Sequence, residues 1–253
     1  MQDLLSPTAD TLAAPSTKEM GRGAMVTVIG FALYGFTVGY WRSPVMGIFV
    51  AMKMPLLIAL TLGCNGLLNG LLGILLGSGL GFRQSLHALL SAFSISALIL
   101  GAVAPVTFFL AINVPSADSP QAASAHSAYL LTHTFMIAMA GLIGVVRLGK
   151  LLESYSSSRT VARSTLAAWI AGNAFLGMQF SWILRPFFGS PRLEVAFLRD
   201  DPMKGSFIEA VWGSLERIFG GIPIQGLVGI VGGGALILIF IYQIRTERKK
   251  RKP

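Results

Sequence analysis

The chain has 253 residues, 53% hydrophobic and only 12% charged, with a formal net charge of +9. A soluble domain carries roughly 25% charged residues, so an ordinary soluble domain is excluded and most of the chain is expected in lipid. The single cysteine, Cys64, excludes an intrachain disulfide and a cysteine metal cluster, and the positive charge comes without the basic, aromatic-lined groove of a nucleic-acid binder.

Residues 1–23 are polar, with Pro7 and Pro15, and are expected to form a disordered N-terminal tail. A transmembrane helical domain is expected over 24–244 and a basic cytoplasmic tail over 245–253. The fold class is all-α: a polytopic transmembrane helical bundle of about six spans. Span one is placed at about Ala24 to Tyr40, with Gly35 and Gly39 at the spacing that lets two helices touch. Pro44 to Met54 reads as a separate interfacial or re-entrant piece, with Lys53 snorkelling to the headgroups.

Span two follows from about Pro55 to Gly77. Gly66, Gly70, Gly73 and Gly77 recur at helical spacing, and Asn65 and Asn69 share a face. Two amides in a span need partners. They serve either an interhelical contact or the lining of a polar path. After a short loop, Ser78 to His87, span three runs from about Ala88 to Ile112 with Pro105 inside. Span four runs from about Ala128 to Leu148 and carries His133. An ionisable group within a span is a functional candidate, yet no carboxylate lies in spans two to five to make a relay with it.

A basic loop, Arg147 to Arg163, leads to span five, from about Ser164 to Leu184, with Asn173 and Gln179 as internal amides. Pro186 disfavours helix at Arg185, so the span should end there, with Trp182, Phe187 and Phe188 at the membrane interface. Arg185 reads either as an interfacial anchor or as the holder of an acidic group. The specific expectation is that it pairs with Glu194, Asp200, Asp201, Glu209 or Glu216, while the nearby aromatics bury against Trp212. Between spans five and six, Phe207 to Phe219 has helical period and is expected to be an amphipathic surface helix, started either by Asp201 as N-cap with Pro202 at the first helical position or by Ser206 and Glu209 as a capping box. Span six is placed at about Ile222 to Ile244.

With both termini cytoplasmic, Lys and Arg concentrate on the inner side, and the tail Arg245 to Pro253 fits the positive-inside rule. That orientation suits a multi-pass protein of a bacterial inner membrane. The sequence has no HExxH pair, no GxSxG elbow and no GxxxxGK[ST] loop. The expectation is therefore a protein that is not an enzyme and needs no cofactor or metal. Its expected partners are the lipid bilayer, other membrane proteins or a second copy, and not nucleic acid. A scaffold or assembly role is the first reading. The alternative is a small-molecule or lipid transporter or channel, with Asn65, Asn69, His133, Asn173 and Gln179 along its path.

Several blocks carry a resemblance. They are Tyr34-Gly35, Lys53-Met54-Pro55-Leu56-Leu57, Gly81-Phe82-Arg83-Gln84-Ser85, Ala104-Pro105, Gln179 through Pro191, and Phe197-Leu198-Arg199. Together they resemble a group of uncharacterised bacterial multi-pass membrane proteins, which is distantly similar to the Yip1-type domain. The resemblance implies a helical integral-membrane module linked to membrane organisation and trafficking, without a catalytic site. It assigns no role to any single residue.

Overall fold

The computed structural model describes residues 12, 15–75, 78–189, 193–206 and 209. The chain divides into two units, Met1–Lys204 and Gly205–Pro253. Among the described residues the first holds five helices: α1 (Thr17–Tyr40), α2 (Pro44–Leu75), α3 (Phe82–Asn113), α4 (Ala122–Tyr155) and α5 (Arg159–Ile183). No strand occurs among the described residues.

Four of these helices, α1 to α4, are long and apolar enough to cross a membrane. Their exposed positions form apolar stripes at three- and four-residue spacing, such as Val45, Ile48, Met52, Leu56 and Leu60 on α2. A face of that kind is matched to hydrocarbon rather than to water. α5 carries Arg159, Arg163, Asn173 and Gln179 and is not among the four.

The helices run up and down, and residue pairs across the contacts give their directions. Gly35 of α1 abuts Val50 of α2, and Gly39 abuts Met46, so α1 and α2 are antiparallel. Gly30 faces Ala97 and Gly101, and Thr37 faces Thr107, so α1 and α3 run parallel. Gly144 of α4 meets Ala92 of α3, and Gly149 meets Leu166 of α5. The C-terminal ends of α1, α3 and α5 therefore share one end of the bundle with the N-terminal ends of α2 and α4. A side chain at Gly35 would place its Cβ 2.7 Å from the Val50 carbonyl oxygen, which is why glycine is needed there.

Several boundaries differ from the sequence reading. α1 begins at Thr17 rather than after Gly23, and Arg83 Nη2 donates to Thr17 Oγ1 at 3.0 Å. Pro44 to Met54 is not a separate piece: α2 is continuous from Pro44 to Leu75 with Pro55 inside it. Ser43 Oγ accepts from the Met46 N–H at 3.1 Å at its start, and Met46, Val50 and Met54 bury against α1 and α3 in one cluster. That burial outweighs the hydrogen bond Pro55 removes. The expected loop Arg147 to Arg163 is mostly helix, because Leu148, Leu151 and Leu152 pack with Ala162 and Trp169. Ser158 caps α5 by accepting from the Val161 N–H at 3.2 Å.

Most of the expected surface helix, span six and the basic tail lie outside the described residues. Within the second unit, the Glu209 N–H donates to Ser206 Oγ at 3.2 Å, one of the two bonds of the expected capping pair.

Candidate functional site at the strapped end of the bundle

After α5 the chain turns back over the bundle. Phe187, Phe188 and Val195 pack into the cluster made by Tyr34, Val38, Met46 and Val50. Residues 185–189 and 193–199 thus lie as a strap across α1, α2 and α4. Lys53 holds it. The Lys53 side chain has no exposed surface, and its Nζ donates to the Pro186 carbonyl at 2.9 Å. The Phe197 ring centroid lies 4.9 Å from Nζ and that of Phe187 lies 5.8 Å away. These ring faces and the carbonyl replace part of the ammonium's hydration. The expectation that Lys53 snorkels is corrected: a partner from the strap reaches the ammonium inside the bundle, so it has no need to extend to the headgroups.

Arg185 is the second holding point. Its Nη1 donates to the Trp182 carbonyl at 2.6 Å and to the Pro202 carbonyl at 3.2 Å. The guanidinium also stacks 3.8 Å from the Trp182 ring centroid. Trp182 Nε1 in turn donates to the Lys204 carbonyl at 3.1 Å. Arg185 therefore closes the turn at 201–204 onto the end of α5, as a pin, but through backbone oxygens. The expected carboxylate partner is replaced, because carbonyls of the following turn fill the planar fork of donors. Among the described residues the one ion pair is Arg163–Glu153, at 3.9 Å, near the opposite end. Burial, and after it the charge of Arg199, lower the pKa of Arg185 from its ordinary value. The guanidinium stays protonated at neutral pH all the same. Trp212, the expected aromatic partner, lies outside the described residues.

A third contact comes from the turn between α1 and α2. Arg42 Nη2 donates to the Leu193 carbonyl at 3.3 Å. Gly189 adopts φ +66°, and a Cβ there would stand 2.8 Å from Arg42 Cγ. Glycine is required both for the left-handed turn and for the close crossing.

Beneath the strap lies a buried polar chain. Tyr34 Oη and His133 Nδ1 are 2.7 Å apart, and both side chains are fully buried. The Phe188 ring lies 6.0 Å from the His133 ring and the Tyr129 ring 4.3 Å from it. Tyr129 Oη donates to the Thr37 carbonyl at 2.6 Å, and the Thr37 and Thr107 hydroxyls meet at 2.7 Å. Trp41 Nε1 donates to the Pro115 carbonyl at 3.0 Å. α1, α3 and α4 are thereby linked side chain to side chain. No protein-family model, curated protein or solved structure matches the chain. The site is therefore interpreted from its own geometry.

The sequence candidates separate into two groups. Arg185, Trp182 and His133 belong to the strapped end. Asn65 and Asn69 do not: Asn65 faces Gly172 of α5, where a Cβ would stand 2.8 Å from its Oδ1. Both asparagines are fully buried and neither amide has a hydrogen-bond partner. Thr165 Oγ1 and Trp169 Nε1, on the turns of α5 below Gly172, are also buried and unpartnered. Asn173 donates through Nδ2 to the Trp169 carbonyl at 2.9 Å. Gln179 is half-buried on α5 and joins none of these hydrogen bonds. Sequence reasoning missed Tyr34, Thr37, Thr107 and Tyr129 as a network. Each is an ordinary interior residue locally, and only their meeting across helices marks them.

Proposed function

We propose that the protein is a non-enzymatic, six-span integral membrane protein that acts as a scaffold or assembly subunit. In this reading α5 and the apolar stretch at about Ile222 to Ile244 are the fifth and sixth spans, both termini are cytoplasmic, and the membrane is a bacterial inner membrane. The observation that carries it is the use of the strong donors at the strapped end. Lys53 and Arg185 donate to the chain's own carbonyls, which favours a fixed surface over a reaction centre. The resemblance to the Yip1-type domain points the same way, towards membrane organisation. The test is cross-linking of the full chain in native membranes, then mild-detergent purification and mass spectrometry. A stoichiometric membrane-protein partner or a defined homo-oligomer is expected. A monomer without partners that moves solute in proteoliposomes would overturn the reading.

A second reading, a small-molecule transporter or channel, is favoured by one feature. Asn65 and Asn69 present four unpartnered amide atoms inside the bundle, at a cost of about 1–3 kcal/mol for each unmet group. Solute flux lost in an Asn65→Leu, Asn69→Leu protein that still folds would support this reading over the first.

A further inference from the structure

A crevice of about 270 Å³ opens between α3, α4 and α5. Leu89 and Phe93 come from α3, Gly141 and Leu148 from α4, and Ile170 and Asn173 from α5. Its floor is shut where α3 and α4 touch: a Cβ at Gly144 would lie 2.7 Å from Ser96 Oγ. Ser96 is one of two polar residues in the lining, and its Oγ donates to the Ala140 carbonyl at 3.0 Å. Asn173 is the other. Its Nδ2 donates to the Trp169 carbonyl, which fixes the amide's orientation, because the flipped amide would set oxygen against oxygen. Oδ1 is left buried and without a partner.

An apolar cavity with one fixed acceptor is the pattern of a small-molecule site, in which apolar walls hold the ligand and a single polar group orients it. At the depth of the hydrocarbon there is no bulk water to satisfy the amide oxygen. We propose that this crevice binds a membrane-soluble molecule consisting of an apolar chain or ring system that ends in a single hydroxyl, with the O–H donated to Asn173 Oδ1. A plain acyl chain fills the space but leaves the acceptor unmet. An ionic headgroup meets no countercharge in the lining. The site is independent of the scaffold role and survives its failure.

Gly141 supplies the test. It lines the crevice, and nothing lies within 4 Å of the position its Cβ would take. Gly141→Leu therefore enters the crevice from a Cβ that is clear of every neighbour, and it replaces a poor helix former with a good one. The experiment uses the full chain in phosphatidylcholine nanodiscs, a diazirine-bearing decanol as photoprobe, and decanol or methyl decyl ether as competitor. Labelling is expected within Leu89–Ser96, Gly141–Leu148 and Ile170–Ala174. Decanol should compete about tenfold more tightly than the ether, the size expected for one buried hydrogen bond. Gly141→Leu should abolish the labelling at an unchanged melting temperature. Asn173→Ala should keep it while making the two competitors equal. Labelling spread evenly over lipid-facing residues would overturn the proposal. Equal competition in the wild type, or undiminished labelling of Gly141→Leu, would also overturn it. Should Gly141→Leu not fold, the Asn173→Ala comparison decides alone.

Discussion

Lys53 on α2 donates a hydrogen bond to the carbonyl of Pro186, 133 residues further along the chain. A helix and the exit turn of another helix are joined by a fully buried ammonium with no carboxylate partner in its hydrogen bonding. Burying a charge in this way costs several kcal/mol unless its protons are met. The carbonyl and two phenylalanine rings meet them only while the strap stays seated.

Lys53→Met keeps the length of the side chain and removes the donor. Trypsin cleavage at Arg199 and Lys204 should then rise by about tenfold, matching the roughly 1.5–3 kcal/mol of a hydrogen bond to a charged group. The global melting temperature should hold or rise, because a buried charge has been replaced by an apolar chain. Equal cleavage in the two proteins would mean that the strap is seated by its aromatics alone.

Arg185 makes a prediction about salt. Its partners are carbonyls, so the contact should persist when ionic strength rises, whereas an exposed carboxylate pair would be screened. Arg185→Ala should expose Lys204 to trypsin with a cost of about 1 kcal/mol. Arg185→Lys should retain part of the protection, since one ammonium cannot reproduce the fork. Salt-dependent protection in the wild type would restore a carboxylate partner.

The helix contacts can be tested at glycine. A Cβ at Gly70 would stand 3.0 Å from Phe82 Cα, backbone that cannot move aside cheaply, whereas Gly63 has nothing within 4 Å. Gly70→Leu should destabilise the bundle by about 1–3 kcal/mol, and Gly63→Leu should be close to neutral. Thermal unfolding in detergent separates the two, and matching losses would place α2 and α3 further apart.

The Tyr34–His133 pair is suited to a double-mutant cycle. Tyr34→Phe leaves His133 Nδ1 buried without its partner and should cost about 1–3 kcal/mol. His133→Leu should cost less in the Tyr34→Phe background than alone, since the polar partner is already gone. Additive losses would show that the 2.7 Å contact carries no coupling.

Topology yields to reporter fusions. A reporter after Pro253 should read cytoplasmic, and one inserted between Pro115 and Ser119, in the connection of α3 to α4 that has no Lys or Arg, should read extracytoplasmic. Both reporters on one side would remove the odd number of crossings between them.

What the sequence determined by itself was local. The apolar stripes, the glycine spacing of Gly35 and Gly39, and the end of α5 before Pro186 each follow from a residue and its near neighbours, because helical period and proline sterics act within a few residues. The tertiary structure decided the polar partners. Lys53 was legible as a cation in an apolar stretch, but not its carbonyl on the strap. Arg185 was legible as a pin, but its own downstream turn supplies the acceptors in place of Glu194 or Asp201. Asn65 and Asn69 were legible as a shared face, yet that Asn65 reaches Gly172 and that both amides remain unpartnered depends on how the helices pack. A donor takes whichever acceptor the packing of distant segments brings within about 3 Å, and no local pattern encodes that choice.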